Sequence, residues 1–113
     1  MSLLQSIMGF ADEYHARPEL VAEQRGWTRT IALVAQDSGE AVGVRVDDGR
    51  IVELLDRCAR GDVTIRSDEA TLRDILELRR GANEPYLFGE LTVQGSEADF
   101  LRLDYITGCL CPR

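Results

Sequence analysis

The chain has 113 residues, of which 44% are hydrophobic and 29% charged, with a formal net charge of −7. That length holds one domain with one core and a modest margin of stability. The acidic balance argues against nucleic acid as a partner, since phosphate neutralisation supplies most non-specific affinity, and against strong docking on anionic lipid.

The first predicted element is a helix over 3–14, with Leu3, Leu4, Ile7, Met8, Ala11 and Tyr14 on one face. Pro18 suits the first turn of a second short helix and Gly26 its stop. From Trp27 the period changes. Ile31, Leu33 and Ala35 alternate with Thr30, Ala32 and Val34, which makes this strand apolar on both sides and central. Asp37, Ser38 and Gly39 mark a turn. Val42, Val44 and Val46 then alternate with Gly43 and Arg45 as a half-buried strand. Asp48-Gly49 signals a tight hairpin into a third strand over 51–55, whose alternation is less clean.

The later half alternates strand and helix. Val63, Thr64 and Ile65 form a short strand. A helix is predicted over 67–80, with Ser67 as its cap, Asp68 and Glu69 in its first turn, and Leu72, Ile75 and Leu76 as its buried stripe. Arg79 and Arg80 suit its last turn and Gly81 its end. A loop carries Pro85, Tyr86, Leu87 and Phe88. In the strand between Gly89 and Gly95, Leu91 and Val93 alternate with polar neighbours. Ser96 and Asp99 resemble a capping box for a last helix over 96–107, with Phe100, Leu101, Leu103 and Ile106 on its apolar side.

These elements make an α+β sandwich: an antiparallel five-stranded meander with helices covering one face. Its open face should carry Thr28, Arg45, Thr64, Arg66, Thr92 and Gln94. The organisation is one domain over 1–113: an N-terminal helical segment (1–26), a core of sheet and helices (27–107) and a tail (108–113). The longest apolar run, 31–35, falls far short of the roughly 20 residues of a membrane-crossing helix. The start lacks a basic lead, and Asp12 and Glu13 interrupt its apolar stretch, so no secretory signal is expected and a cytoplasmic location is the default.

Chemistry-bearing residues are sparse. Cys58, Cys109 and Cys111 are an odd set expected to be free thiols. Cys109 and Cys111 could hold a metal, but no third ligand stands near and structural zinc wants four. No metal, cofactor or catalytic residue is therefore assigned. His15, the one histidine, reads as a surface residue, and Arg57, Arg60, Arg79 and Arg80 read as solvated turns and helix ends.

Three segments carry a family resemblance. The run from Ala41 through Val42-Gly43-Val44-Arg45-Val46 to Asp48-Gly49 looks like a second strand and glycine turn. Asp62-Val63-Thr64-Ile65 followed by Ser67-Asp68 looks like a short strand entering a helix. Pro85-Tyr86-Leu87-Phe88-Gly89, then Leu91 to Gly95, is an aromatic pair, a glycine, a strand and a glycine before the last helix. In order and spacing, 27–106 resembles the sterol carrier protein type 2 family of small lipid-binding domains. The resemblance implies a five-stranded sheet, helices over one face, and between them an apolar tunnel for fatty acyl chains, sterols or similar lipids. The implied sheet wall is Ile31, Leu33, Val44, Val46, Val63, Ile65, Leu91 and Val93. The implied helix wall is Leu72, Ile75, Leu76, Phe100, Leu103 and Ile106, with Tyr86 and Leu87 at the aromatic pair.

The chain departs from the family where a Gly-Lys pair often closes the middle helix: Leu78-Arg79 stands there, and Glu90 replaces a lysine after the strand-opening glycine. Basic residues help some family members approach membranes, so at most transient membrane contact is expected here.

The leading function is non-catalytic binding or transfer of a lipid or other hydrophobic small molecule. Its polar head would need partners at the mouth, for which Tyr105, Arg102 and Gln24 are candidates. The alternatives are a small biosynthetic enzyme using Glu53, Asp56 or Asp104 on a hydrophobic substrate, and an accessory scaffold with a vestigial pocket. A partner enzyme belongs to the binding reading and to the scaffold, and the first helix could close the pocket or form a homodimer contact. Physics constrains the pocket: a dry 300 Å³ void would cost about 7 kcal/mol at ~24 cal/mol per Å³, which rivals a small domain's whole stability.

Overall fold

The computed structural model describes residues 2–111. Five strands form one sheet in the order β3-β2-β1-β4-β5: β1 Arg29–Ala35, β2 Ala41–Asp47, β3 Arg50–Asp56, β4 Val63–Ser67 and β5 Leu91–Gln94. The helices are α1 Leu3–His15, α2 Pro18–Glu23, α3 Glu69–Leu76, α4 Asn83–Leu87 and α5 Glu97–Leu110. Side chains of α1, α3 and α5 share one apolar interior with the inward-facing residues of β1, β2 and β4. The fold is α+β, as the sequence predicts.

The meander needs correcting in one respect. β1 pairs antiparallel with β2 but parallel with β4, Ile31 lying opposite Val63 and Leu33 opposite Ile65. The chain leaves β3 at one edge and must pass β2 and β1 before it can enter β4. Segment 57–62 does this by crossing the face away from the helices. A row of small residues makes room: Gly43 and Thr64 flank Ala32 across the sheet. A Cβ at Gly43 would stand 2.7 Å from the Cys58 Sγ, and one at Gly61 would stand 2.5 Å from the Thr30 carbonyl oxygen. Thr64, expected on the open face, is buried under this crossover, where its Oγ1 accepts the Gly61 N–H at 3.2 Å. Thr28, Arg45, Thr92 and Gln94 are exposed as expected, and Arg66 is half-buried against Gln94.

Asp48 (φ 51°) and Gly49 (φ 84°) form the two-residue turn between β2 and β3, with Asp47 opposite Arg50. The register shifts between Arg45, opposite Glu53, and Val46, opposite Ile51. Val52 is thereby left as an extra residue, which blurs the alternation of β3.

Three helix boundaries differ from expectation. Asp68, rather than Ser67, caps α3, its carboxylate accepting from the Thr71 N–H at 2.7 Å. Ser67 ends β4 and donates to the Glu90 carbonyl at 2.5 Å. α3 stops at Leu76, well short of Arg80, because Leu78 turns into the left-handed region (φ 63°). The loop at Pro85 is the helical turn α4, with the proline in its first turn. Ser96 caps α5 as predicted, but no capping box closes: the Asp99 carboxylate turns instead to Trp27 and Arg29. α5 continues past Thr107, so Gly108, Cys109 and Leu110 of the expected tail are helical. Met1, Pro112 and Arg113 of the outer segments lie outside the described residues. On α1, Leu3, Ile7, Ala11 and Tyr14 are buried, whereas Met8 falls off the stripe and is 50% exposed.

Candidate functional site: an apolar hollow between sheet and helices

Two small cavities lie between the sheet and its helices. The larger, about 60 Å³, has no polar atom on its surface. Ile31, Leu33, Val44 and Ile65 form its floor, and Leu72, Ile75 and Leu76 of α3 one wall. Ile7 and Phe10 of α1 and Leu103 and Thr107 of α5 form the roof, and Ala82 and Leu91 close the side by α4. The smaller, about 30 Å³, lies over Val46 and Ile51 toward Tyr14, Trp27 and Ile106.

Of the residues assigned to a pocket wall, Val63 and Phe100 are buried without facing either cavity, and Val93 is half-buried against the core. Tyr86 and Leu87 stand outside: the Tyr86 ring packs against Phe100 at 4.6 Å between centroids with the planes tilted by 41°, and Leu87 is 70% exposed. The short α4 turns its outer residues to solvent while its flanks, Ala82 and Leu91, reach the cavity. The structure adds Ile7, Phe10, Ala82 and Thr107 to the lining. Ile7 already stands in the predicted stripe of α1, and an i,i+3 step from it reaches Phe10.

The smaller cavity ends in fixed polar anchors. Tyr14 donates its hydroxyl to the Gly49 carbonyl at 2.5 Å, and burial pushes its pKa up to about 12, against a weaker pull from Arg102. Trp27 donates its indole N–H to Asp99 at 2.9 Å, and the Arg29 guanidinium meets the other carboxylate oxygen at 2.9 Å. Burial alone would raise the Asp99 pKa, but the bonds from Trp27 and Arg29 outweigh it and hold it below the usual range.

The head-group candidates sit around a surface cleft beyond that end. Gln24 is buried, donating to Leu20 and accepting from Arg102 at 2.6 Å. Arg102 also lies over the Trp27 ring, 5.2 Å from its centroid. The Tyr105 hydroxyl donates to Glu23 at 3.1 Å. These three line the cleft with Leu101 and Ala98, and none lines either apolar cavity.

The carboxylates of the enzymatic alternative lie apart from the hollow. Glu53 is exposed and paired with Arg45 at 2.9 Å, Asp56 is exposed, and Asp104 is half-buried on α5; none lines either cavity. The three cysteines are free. His15 is exposed and accepts the Ile51 N–H at 3.2 Å. Among the described residues no group of three or more His, Cys, Asp or Glu is placed to hold a metal ion, and no helix is long and apolar enough to cross a membrane.

No protein-family model matches the sequence, and no curated protein does. Solved structures do match. A sterol carrier protein 2 aligns with a TM-score of 0.67 at 18% identity, over 92% of this chain and 88% of its own. This chain has the sterol carrier protein 2 fold. The palmitated SCP2L2 of Aedes aegypti aligns with a TM-score of 0.63 at 17% identity, over 95% of each chain. The ubiquinone synthesis protein UbiJ-SCP2 aligns with a TM-score of 0.60 at 16% identity, over 84% of this chain and 80% of its own. Within this sterol carrier protein 2 fold the expected departures have structural partners. Glu90 pairs with Arg80 at 2.7 Å, and Arg79 pairs with Asp74 and Glu77. The corner where the resemblance implies free basic charge is thus locally neutralised.

Proposed function

We propose that this protein binds a lipid or other hydrophobic small molecule without chemically transforming it, between the sheet and helices α1, α3 and α5. The observation that carries this reading is the larger cavity, walled by apolar side chains with no polar atom facing it. The palmitated relative of the same fold supports an acyl ligand.

The cavity is far smaller than the roughly 300–1,000 Å³ of ligand pockets. Its volume of about 60 Å³ implies a cost of about 1.5 kcal/mol when empty, at ~24 cal/mol per Å³. A partly collapsed hollow therefore reconciles an unliganded fold with a ligand site, and binding must widen it. A 16-carbon chain contributes roughly 12 kcal/mol gross at about 0.8 kcal/mol per methylene. Association costs of about 4–15 kcal/mol and the widening of the site reduce this to micromolar affinity.

Extraction of freshly purified protein and titration with a fluorescent fatty acid test the proposal. Co-purified lipid or saturable binding supports it. Absence of both below about 100 µM, or about −5.5 kcal/mol, refutes it.

A second reading is favoured by UbiJ-SCP2: the loaded domain presents its ligand to a partner enzyme in a biosynthetic assembly. A cytoplasmic setting belongs to this reading, and the net charge of −7 supports membrane contact that is at most transient. Native mass spectrometry reports bound ligand, partner and any homodimer together.

A further inference from the structure

Phe10, Ile31, Val44 and Leu103 line both cavities. Ile31 and Val44 are paired neighbours in the floor, so the side chains standing between the two spaces from above are Phe10 and Leu103. The order along α1 is the same as the order of the spaces: Ile7 faces the larger cavity, Phe10 both, and Tyr14 the smaller. These positions follow one face of the helix over about 10 Å at 1.5 Å per residue. On α5, Thr107 faces the larger cavity, Leu103 both, and Ile106 the smaller. The two spaces are therefore successive sections of one slot under α1, divided by the Phe10 ring and the Leu103 side chain.

The two dividers differ in bulk. Both are only half-buried, Leu103 in the middle of α5 and Phe10 on α1. The Phe10 ring is the larger obstacle, and a turn about its side-chain torsions opens the most space between the two sections. At the far end the slot is closed by Tyr14 and Trp27, both held by hydrogen bonds.

We infer that Phe10 is a gate setting the length of acyl chain this protein accepts. This rests on the proposed lipid binding. A short chain fills the larger cavity with Phe10 in place, and a longer one swings the ring aside to reach the blind end at Tyr14 and Trp27. A flexible chain can thread the slot section by section as the hollow widens, with Phe10 the one side chain that must leave its place between them. A rigid fused-ring lipid would need the sheet and helices parted along the whole slot, because each section is narrow.

The test is displacement of a fluorescent fatty acid by the saturated carboxylates from octanoate to hexadecanoate, and by cholesterol, on the wild type, Phe10→Ala, Phe10→Leu and Phe10→Trp. Wild-type affinity should rise with length and then level off. Phe10→Ala and Phe10→Leu should move the plateau to longer chains and tighten hexadecanoate about tenfold, as roughly two further buried methylenes would. Phe10→Trp should move it to shorter chains. If Phe10→Ala does not fold, Phe10→Leu, which keeps an apolar filler, carries the comparison. Independently, NMR of the wild type should show ligand-to-protein NOEs at Tyr14 and Ile106, which line only the smaller cavity, with hexadecanoate and none with octanoate. Chains that bind with the same plateau in every variant, or cholesterol that competes as well as hexadecanoate, overturn the gate while leaving lipid binding intact. No binding of any chain to any variant overturns both.

Discussion

Ser6 of α1 donates its hydroxyl to the carboxylate of Glu77 at 2.6 Å, tying the roof of the hollow to the end of α3. Glu77 also receives Arg79 at 2.5 Å and Arg73 at 3.3 Å. Its pKa is lowered to about 2, by the Ser6 bond first and then by the arginines, against a smaller opposing effect of burial.

The sign for acid stability follows. A carboxylate with a depressed folded pKa stabilises the fold above its unfolded value, and that stability is lost as pH falls through the folded one. Between about 4.5 and about 2, stability should drop with acid, and Glu77→Gln should flatten the profile across that window. Urea unfolding at a series of pH values measures both. Ser6→Ala should cost about 1.5–3 kcal/mol at neutral pH, as a lost hydrogen bond to a charged acceptor in a partly buried site.

The Trp27–Asp99–Arg29 cluster should be a strong stabilising unit, since the Asp99 side chain is only 9% exposed. Asp99→Ala leaves a buried indole N–H without its acceptor and should cost about 1–3 kcal/mol. Trp27→Phe on that background should cost less than on the wild type. Additive losses in a chemical-denaturation cycle would disprove the coupling.

Two glycines should respond oppositely to alanine. Gly43→Ala forces a Cβ to 2.7 Å from the Cys58 Sγ and 2.8 Å from the Ile31 carbonyl oxygen, and should destabilise by about 1–3 kcal/mol. Gly9 lies in the middle of α1 with open space around it, so Gly9→Ala should stabilise by about 0.5–1 kcal/mol. Thermal unfolding of both variants checks the pair.

Filling the hollow should separate stability from binding. Ala82→Val adds apolar volume at the cavity wall and should stabilise by about 0.5–1 kcal/mol. The same change should weaken acyl binding about tenfold, because the ligand needs that space. A variant that is both more stable and equally good at binding would place the ligand elsewhere.

Local patterns disclosed much of this. The stripe of α1, the Asp48-Gly49 turn and the Ser96 cap all lie where their residues predict, because each depends on neighbours a few positions away. The boundaries that slipped depended on distant partners. Asp99 had the spacing for a capping box, but Trp27 and Arg29 offered a buried carboxylate two charge-assisted or indole bonds. Leu78 ends α3 in a left-handed conformation that a nearby glycine, Gly81, was expected to supply.

By itself the sequence determined the chain order of the five strands and of α1, α2, α3 and α5, and the apolar side of most of them, because periodic hydrophobicity records which side of an element avoids water. Tertiary structure alone decided that β4 lies parallel to β1, since a crossover over Gly43, Ala32 and Thr64 depends on fit between segments far apart in the chain. It alone decided the hollow as well. A cavity is the volume left where non-adjacent surfaces fail to interdigitate, and no residue, Phe10 included, carries that information before α1 and α5 are laid over the sheet.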